Sequence, residues 1–269
     1  MAAIDLSVFD LFKIGPGPSS SHTIGPMLAG GDFLALLRRQ PPEILAAGTR
    51  IEVELYGSLA ATGRGHGTDR AVLAGLLGQD PRHCPPQFLD ALARAPERAH
   101  PLDLGPKTIP VSAADVVMGP VVCDLPCSNT LALRLRGEDP DAPPLLERRY
   151  ASIGGGFIQY AGQQLPERRE PAYPYASMAD IRRIVREEDI GLHRLMLENE
   201  AAVTGDRPNE ILARLDAVLA AMDASVDAGL AASGVLPGPL ALERKAARLF
   251  ARGSRNRRPP HDSALTKLM

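Results

Sequence analysis

Tryptophan is absent from this 269-residue chain, and aromatic residues make up only 4% of it. Proteins that bind nucleic acids by base stacking need aromatic platforms, so the composition disfavours that class. Charge of one sign is not in excess either, because 30 Lys and Arg against 32 Asp and Glu give a formal net charge of -2. We therefore expect no nucleic-acid partner and no membrane-surface binding.

Long apolar runs and a full set of paired cysteines are also missing. No run reaches the length of a membrane span, and Met1–Leu6 is too short and too acidic for a signal peptide. Cys84, Cys123 and Cys127 cannot all pair, and their spacing matches no standard zinc or iron–sulfur motif. The sequence thus predicts a cytoplasmic protein with isolated thiols and enough apolar residues, 45%, for a sizeable core.

Two glycine-framed histidine motifs are the most informative part of the chain. The first is Gly15-Pro16-Gly17-Pro18-Ser19-Ser20-Ser21-His22-Thr23, directly before an apolar helical pattern. The second is Gly63-Arg64-Gly65-His66-Gly67-Thr68-Asp69. Amides and the dipole at a helix start, together with short hydroxyl side chains, bind anions such as phosphate or carboxylate. The motifs therefore predict a site for a small anionic substrate from which a proton is moved.

Hydrophobic periodicity predicts an α+β fold with an antiparallel sheet, followed by helices. Strands are predicted at Arg50–Tyr56, which runs into loops around Gly57 and Gly63, and at Thr108–Met118, Thr130–Arg136 and Leu145–Ile153. Helices are predicted at Ser7–Lys13, His22–Arg38, Asp69–Leu77, Gln87–Ala95, Ser177–Glu188, His193–Val203, Arg207–Gly229 and Leu240–Ala251. We place a β domain at 1–161, a linker at 162–176, a helical fragment at 177–251 and a basic tail at 252–269.

Several blocks in a fixed order resemble the bacterial iron–sulfur L-serine dehydratases, over roughly Ile4 to Phe250. They are Phe9–Lys13, Pro18–Thr23, Tyr56–Leu59, Gly65–Asp69, Tyr150–Phe157, Glu198–Glu200 and Gly234–Gly238. The resemblance implies a serine dehydratase β domain, similar to the allosteric substrate-binding domain of some phosphoglycerate dehydrogenases, followed by a helical catalytic α domain. It also implies deamination of L-serine to pyruvate and ammonia through a [4Fe-4S] cluster, without pyridoxal phosphate.

The chain departs from that family pattern in two places. The family's catalytic domain continues past the Leu236-Pro237-Gly238 turn and carries the cluster cysteines there, whereas no cysteine follows Cys127 here. We therefore expect a C-terminally truncated member that holds no cluster ligand. The second departure is at Leu125–Thr130, where the family has a histidine and this chain has Cys127-Ser128-Asn129.

With the resemblance, His66 becomes our first candidate for the base that removes the α-proton of serine, since an imidazole is deprotonated near neutral pH. Without the resemblance, the spacing of residues in the second motif would favour reading His66 as an exposed histidine in a turn. His22 contacts the substrate carboxylate or lies in a surface loop, the two interpretations weighing about equally. Ser19, Ser20, Ser21 and Thr23 bind the carboxylate or, at one position at least, cap the helix. Asp69 orients His66 or caps the following helix.

Two functions from different classes remain at this point. In one, the chain belongs to an L-serine ammonia-lyase that forms a homo-oligomer or joins a separate catalytic chain. In the other, it is a non-catalytic module that binds substrate or regulates. The long predicted helix carries an apolar stripe that would pack on a partner and cause oligomerisation when exposed: Ile211, Leu212, Leu215, Val218, Leu219 and Met222.

Overall fold

The alternating segment Arg50–Leu55 forms strand β1, as predicted, in a computed structural model that describes residues 4, 6–122, 124–164, 169–236 and 241–255. Ile51, Val53 and Leu55 are buried on one face of the strand, and the two glutamates between them lie on the other. A side-chain period of two produces this division in any strand that covers a core on one side. The apolar positions of β1 therefore define the core face of the sheet.

Six more strands follow in the described chain, and with β1 they form two sheets. They are β2 (His100–Asp103), β3 (Thr108–Val111), β4 (Val116–Met118), β5 (Thr130–Arg136), β6 (Leu146–Gly154) and β7 (Phe157–Gln159). The larger sheet has the order β4-β1-β5-β6-β7, and β2 pairs with β3 separately. The expectation of an antiparallel sheet is wrong for one pair, because β1 and β4 are parallel, with Val53 opposite Val116. The predicted strand 108–118 is broken by a 3₁₀ turn at Ala113–Asp115, and the segment after the turn, β4, pairs beside β1.

The helices confirm most of the periodic segments and add others. They are α1 (Val8–Leu11), α2 (Gly25–Leu37), α3 (Pro42–Ala47), α4 (Gly57–His66), α5 (Thr68–Leu76), α6 (Pro86–Arg94), α7 (Met178–Glu187), α8 (Leu192–Thr204), α9 (Pro208–Ala231) and α10 (Ala246–Arg255). A five-residue π-helical turn, Ser20–Ile24, precedes α2. The α+β class is therefore confirmed. The predicted loops after β1 are wrong, because the segment 57–66 is helix α4.

Helices α2 and α5 pack against each other through glycine. A Cβ placed at Gly75 of α5 would lie 2.0 Å from the carbonyl oxygen of Met27 in α2, and one at Gly30 would lie 2.3 Å from the carbonyl oxygen of Val72. No side chain fits at such distances, so only glycine allows the two backbones to approach this closely. The His22 motif precedes α2 and the second histidine motif precedes α5, so this contact brings the two motifs together.

A further link joins α2 to the sheet. The phenol of Tyr150 on β6 is fully buried and donates a 2.7 Å hydrogen bond to Asp32 of α2, which also accepts from Arg148 at 3.0 Å. Burial, together with the neighbouring Asp32 carboxylate, raises the pKa of Tyr150, so the phenol stays protonated and acts as a donor. The orientation of α2 on the sheet is thereby fixed at its polar side as well as in the core.

The opposite face of the sheet carries a network of charges. Arg134 of β5 is 7% exposed, and its guanidinium contacts Glu52 at 2.7 Å, Glu54 at 2.9 Å and Glu147 at 2.8 Å. Tyr56 completes the set, donating to Glu54 and accepting from Arg134. Because each carboxylate has a donor from arginine, the charges of three neighbouring strands are neutralised within the sheet.

The chain divides into two compact units, 1–205 and 206–269. The division falls inside the region that the sequence assigned to the helical fragment, so α7 and α8 group with the N-terminal unit. In the second unit, α9 exposes Leu212, Leu219, Met222 and Val226, although Ile211 is buried. Among the residues that the structure describes, no helix has the length and apolar character of a membrane span.

Candidate functional site

The π-helical turn Ser20–Ile24 presents the first histidine. Ser19 caps this turn: its side chain accepts a 3.3 Å hydrogen bond from the amide of His22, as predicted for at least one of the serines. Ser20 is exposed, whereas Ser19 and Ser21 are half-buried. The turn thus places the imidazole of His22 inward, where it is only 9% exposed.

Two hydroxyl groups hold the ring of His22. Ser21 Oγ lies 2.9 Å from Nδ1, and Ser58 Oγ lies 3.1 Å from Nε2. A hydroxyl can donate or accept, so either neutral tautomer of His22 is compatible with this pair. Ser58 belongs to the block Tyr56–Leu59, and nothing in its spacing along the sequence indicates that it reaches His22. Its role is visible only in the folded chain.

Helix α4 presents the second histidine at its C-terminal end. The helix begins at Gly57, where φ is +56° and a Cβ would lie 2.2 Å from the carbonyl oxygen of Ser128. It ends at His66, one residue before a left-handed Gly67. His66 is therefore a helix-terminal residue, half-buried, and not the loop histidine that the sequence predicted.

A backbone carbonyl fixes the tautomer of His66. Its Nδ1 lies 3.0 Å from the carbonyl oxygen of Thr62, one helical turn earlier. A carbonyl can only accept a hydrogen bond, so Nδ1 carries the proton and Nε2 has a free lone pair when the ring is neutral. His66 is thereby set up to take a proton at Nε2.

The two imidazoles contact each other. Their ring centroids are 4.8 Å apart, with a tilt of 42° between the planes. Burial first, and the proximity of His66 second, lower the pKa of His22 below 6.5, while its contact with Ser58 acts in the opposite direction. His22 is therefore neutral near pH 7, which avoids placing two positive rings side by side.

Crossed hydrogen bonds join the backbones of the two motifs. The hydroxyl of Thr68 donates to the carbonyl of His22 at 2.6 Å, and that of Thr23 donates to the carbonyl of His66 at 3.0 Å. Both threonine side chains are fully buried. Ser152 adds a 2.8 Å hydrogen bond to the carbonyl of Ser21. Thr68 and Ser152 were not singled out from the sequence, although a threonine close behind each histidine was a usable signal.

Asp69, the remaining predicted residue, lies at the edge of this arrangement, as do two cationic side chains, Lys13 and Arg64. Asp69 is half-buried in the first turn of α5, whose N-cap position is Gly67, and in the described ranges it makes no hydrogen bond to His66. Lys13 donates to the carbonyl of Phe9 at 2.7 Å, and its ammonium lies 4.2 Å from the ring centroid of Phe157. Arg64 is exposed on α4. An exposed cation of this kind is available to attract an anion.

The cysteines offer no fit for an iron–sulfur cluster in the part of the chain that the structure describes. Cys84 is buried, and burial raises the pKa of its thiol. Cys127 is half-buried, and Cys123 lies outside the described residues. Within the described ranges, no group of three or more His, Cys, Asp or Glu side chains is placed to hold a metal ion. Cluster ligation thus has no basis in these residues.

Glu200 and Asn199, in one of the blocks that carry the resemblance, are buried and hydrogen-bonded to other segments of the chain. The carboxylate of Glu200 accepts hydrogen bonds from the hydroxyl of Ser7 and from the amide of Val8, the latter at 2.9 Å. The Asn199 side chain accepts from the amide of Tyr173 and donates to its carbonyl. Helix α8 therefore holds the start of α1 through Glu200.

Comparison with known proteins agrees with this arrangement of blocks. A family model described as the serine dehydratase beta chain matches residues 7–163. An L-serine dehydratase of Haemophilus influenzae is 34% identical over 91% of this chain and 54% of its own length. The L-serine dehydratase of Streptomyces coelicolor is 37% identical over 90% of this chain and 53% of its own length. L-serine dehydratase 2 of Escherichia coli is 36% identical over 91% of this chain and 53% of its own length. The chain spans about half the length of the curated relatives it matches.

Proposed function

The chain belongs to the serine dehydratase beta chain family, as the resemblance predicted, and on that premise we propose that it takes part in the deamination of L-serine to pyruvate and ammonia. The names of its relatives, L-serine dehydratases, support this substrate. The observation that carries the proposal is the tautomer of His66, which leaves Nε2 unprotonated beside a second, neutral histidine. The reaction would be a carbon–nitrogen lyase reaction that proceeds without pyridoxal phosphate.

In this proposal His66 is the base. Nε2 of His66 takes the α-proton of L-serine, the bond between the β-carbon and its hydroxyl breaks, and the imidazolium of His66 returns a proton to that oxygen, which leaves as water. The resulting 2-aminoacrylate tautomerises to an imine. Hydrolysis of the imine gives pyruvate and ammonia, so water is released and taken up once each. The geometry of the ring suits this task, because Nδ1 holds the ring proton against the carbonyl of Thr62 and Nε2 is left to accept.

His22 and the serines would recognise the substrate. A neutral His22 would donate a hydrogen bond to the serine carboxylate by exchanging its contact with Ser21 or Ser58, and it would not compete with His66 for the proton. Ser19, Ser20 and Ser21 stand at the start of the turn, where hydroxyls and amides suit a carboxylate. Thr23 and Asp69 were predicted to contact substrate as well, and only Asp69 has surface to do so.

The cofactor and the partner would come from elsewhere. The family resemblance implies a [4Fe-4S] cluster, and we assign none of its ligands to the residues described here. The chain would act as a homo-oligomer or with a separate catalytic chain in the cytoplasm. The exposed side chains on α9, Leu212, Leu219, Met222 and Val226, support contact with such a chain, because they recur at helical spacing.

The proposal is tested on the full chain, purified anaerobically from its native host together with any chain that accompanies it, and reconstituted with iron and sulfide. We expect L-serine-dependent pyruvate and ammonia, lost in His66→Gln and retained in His83→Gln, a matched control because the His83 side chain is 80% exposed. A His66→Gln variant with unchanged turnover would exclude His66 as the base.

A binding module is the second candidate function, favoured by the missing fit for a cluster among the described residues. It predicts that L-serine shifts the NMR signals of His22 and His66 while no pyruvate forms. If neither binding nor turnover is observed, both candidate functions are wrong.

A further inference from the structure

The main-chain carbonyl groups of the two histidines lack the amide donor that an α-helix would supply. The carbonyl of His22 lies four residues before Pro26, and proline has no amide hydrogen to offer it. The carbonyl of His66 belongs to the last residue of α4, and the last carbonyls of a helix have no partner within it. Each of these groups needs a donor from another part of the chain, because an unpaired buried carbonyl costs free energy.

Each donor is the threonine of the other motif. Thr68 follows His66 by two residues but donates to His22, and Thr23 follows His22 by one residue but donates to His66. Neither threonine has surface left for solvent or substrate, since both are fully buried. A displacement of either histidine backbone therefore breaks a hydrogen bond made by the other motif.

We propose that these crossed hydrogen bonds of Thr23 and Thr68, which we call the threonine latch, hold the two imidazoles in register. Thr23 and Thr68 are then positioning residues: they act on substrate chemistry only through the placement of His22 and His66. This assigns Thr23 a role different from the carboxylate contact that the sequence predicted. It also gives a role to Thr68, which the sequence left unassigned.

The surroundings of Thr68 support the latch. A Cβ at Gly63 would lie 3.2 Å from both Cβ and Oγ1 of Thr68, so the bare backbone of α4 makes room for this side chain. The close contact of α2 with α5 brings the carbonyl of His22 within reach of the hydroxyl. Shape and hydrogen bonding at this point favour a small β-branched residue that carries a hydroxyl.

The test compares Thr68→Val, which keeps the shape and removes the hydroxyl, with Thr68→Ser, which keeps the hydroxyl. In the full chain with labelled histidines, NMR measures the contact between the rings of His22 and His66 and the pH midpoint of His22. We expect Thr68→Val to weaken the ring contact and to raise the midpoint towards 6.5, because His22 becomes more exposed and lies farther from His66. Thr68→Ser is expected to resemble the wild type, and the exposed His83 serves as internal reference in every sample.

A folded Thr68→Val variant with an unchanged ring contact and an unchanged midpoint would overturn the latch. If that variant does not fold, Thr23→Val and Thr23→Ser are compared in the same way. If both valine variants fail to fold while both serine variants match the wild type, the hydroxyls determine the fold and the positioning role is wrong.

The role of the threonine latch in the reaction rests on the proposed function, but the geometry of the latch does not. If NMR bears out the latch and no pyruvate forms, the proposed function fails and the latch stands. If pyruvate forms and the valine variants leave both ring contact and turnover unchanged, the latch fails and the proposed function stands.

Discussion

Thr68 donates a 2.6 Å hydrogen bond to the carbonyl of His22, 46 residues earlier in the chain. This bond crosses from the second histidine motif to the first, and the two imidazole rings lie 4.8 Å apart beside it. Helices α2 and α5, which follow the two motifs, meet through Gly30 and Gly75. The placement of the histidines therefore depends on helix packing as well as on the residues that contact them.

Gly75→Ala is expected to destabilise the protein by at least about 2 kcal/mol, because the new methyl group would overlap the backbone of α2 at Met27. Gly65→Ala is the matched control within a helix, since a Cβ there meets nothing within 4 Å. That control is expected to gain about 0.5–1 kcal/mol through its higher helix propensity. Urea unfolding followed by circular dichroism measures both, and equal stability of the two variants would refute close packing at Gly75.

The pH dependence of stability should report the lowered pKa of His22. Because the folded protein resists protonation of His22, the unfolded chain binds more protons below pH 6.5. The free energy of unfolding contributed by this group is therefore lost as the pH falls from 6.5 through the folded pKa. We expect a His22→Gln variant to lose less stability than the wild type between pH 7.5 and 5.5, as measured by urea unfolding.

His83→Gln is the control for that experiment, because the His83 side chain is 80% exposed. At pH 7.5 its free energy of unfolding should equal that of the wild type, because a substitution at an exposed position changes stability little. A His22→Gln variant with the pH dependence of the wild type would mean that His22 titrates normally in the folded chain.

Removing the charge of Glu200 should loosen the N-terminal helix. Its carboxylate accepts from Ser7 and Val8 while buried, so Glu200→Gln is expected to cost about 2 kcal/mol. Glu198→Gln is the control, because that carboxylate pairs with the exposed Arg194 on the surface of α8 and should leave the melting temperature unchanged. If both variants melt at the wild-type temperature, Glu200 contributes nothing to the cap of α1.

Arg134→Met should destabilise the sheet by about 3 kcal/mol or more at pH 7, because it removes the buried partner shared by Glu52 and Glu54 of β1 and Glu147 of β6. Burial alone would raise the pKa of Glu52 and Glu147, but hydrogen bonds from Arg136, Arg134 and Arg149 outweigh burial and hold both pKa values below 4.5. Their stabilisation is present above pH 4.5 and is lost as the pH falls through the lowered pKa values. The difference in free energy of unfolding between the wild type and Arg134→Met should therefore decrease below pH 4.5.

Arg149→Met provides the comparison for the sheet, since Arg149 is more than half exposed and contacts only Glu147 of this carboxylate set. It should change stability little, as exposed ion pairs do. Calorimetry at pH 7 and pH 4 distinguishes the two variants. If Arg134→Met is less stable than the wild type by the same amount at both pH values, the charge network is contradicted.

The sequence predicted the elements whose pattern is local. The alternation of Arg50–Leu55 and the apolar run of Thr130–Arg136 predicted strands at the observed positions, and the helix predicted from Ser177 begins with Ser177 as the N-cap of α7. Helix α4 was missed because Gly57, Gly63 and Gly65 lower helix propensity, and its contacts outweigh that preference. The parallel pairing of β4 with β1 was missed because the two strands are distant in the sequence, and their pairing depends on the turn that precedes β4.

By itself, the sequence determined the family, the α+β class and the two histidines, because these depend on residue types in a fixed order along the chain. Only the tertiary structure decided which groups meet: Ser58 with His22, the two imidazole rings with each other, and each threonine with the opposite histidine. The physical reason is distance. Hydrogen bonds and pKa shifts act over a few ångströms, and residues tens of positions apart reach that range only when α2 and α5 pack.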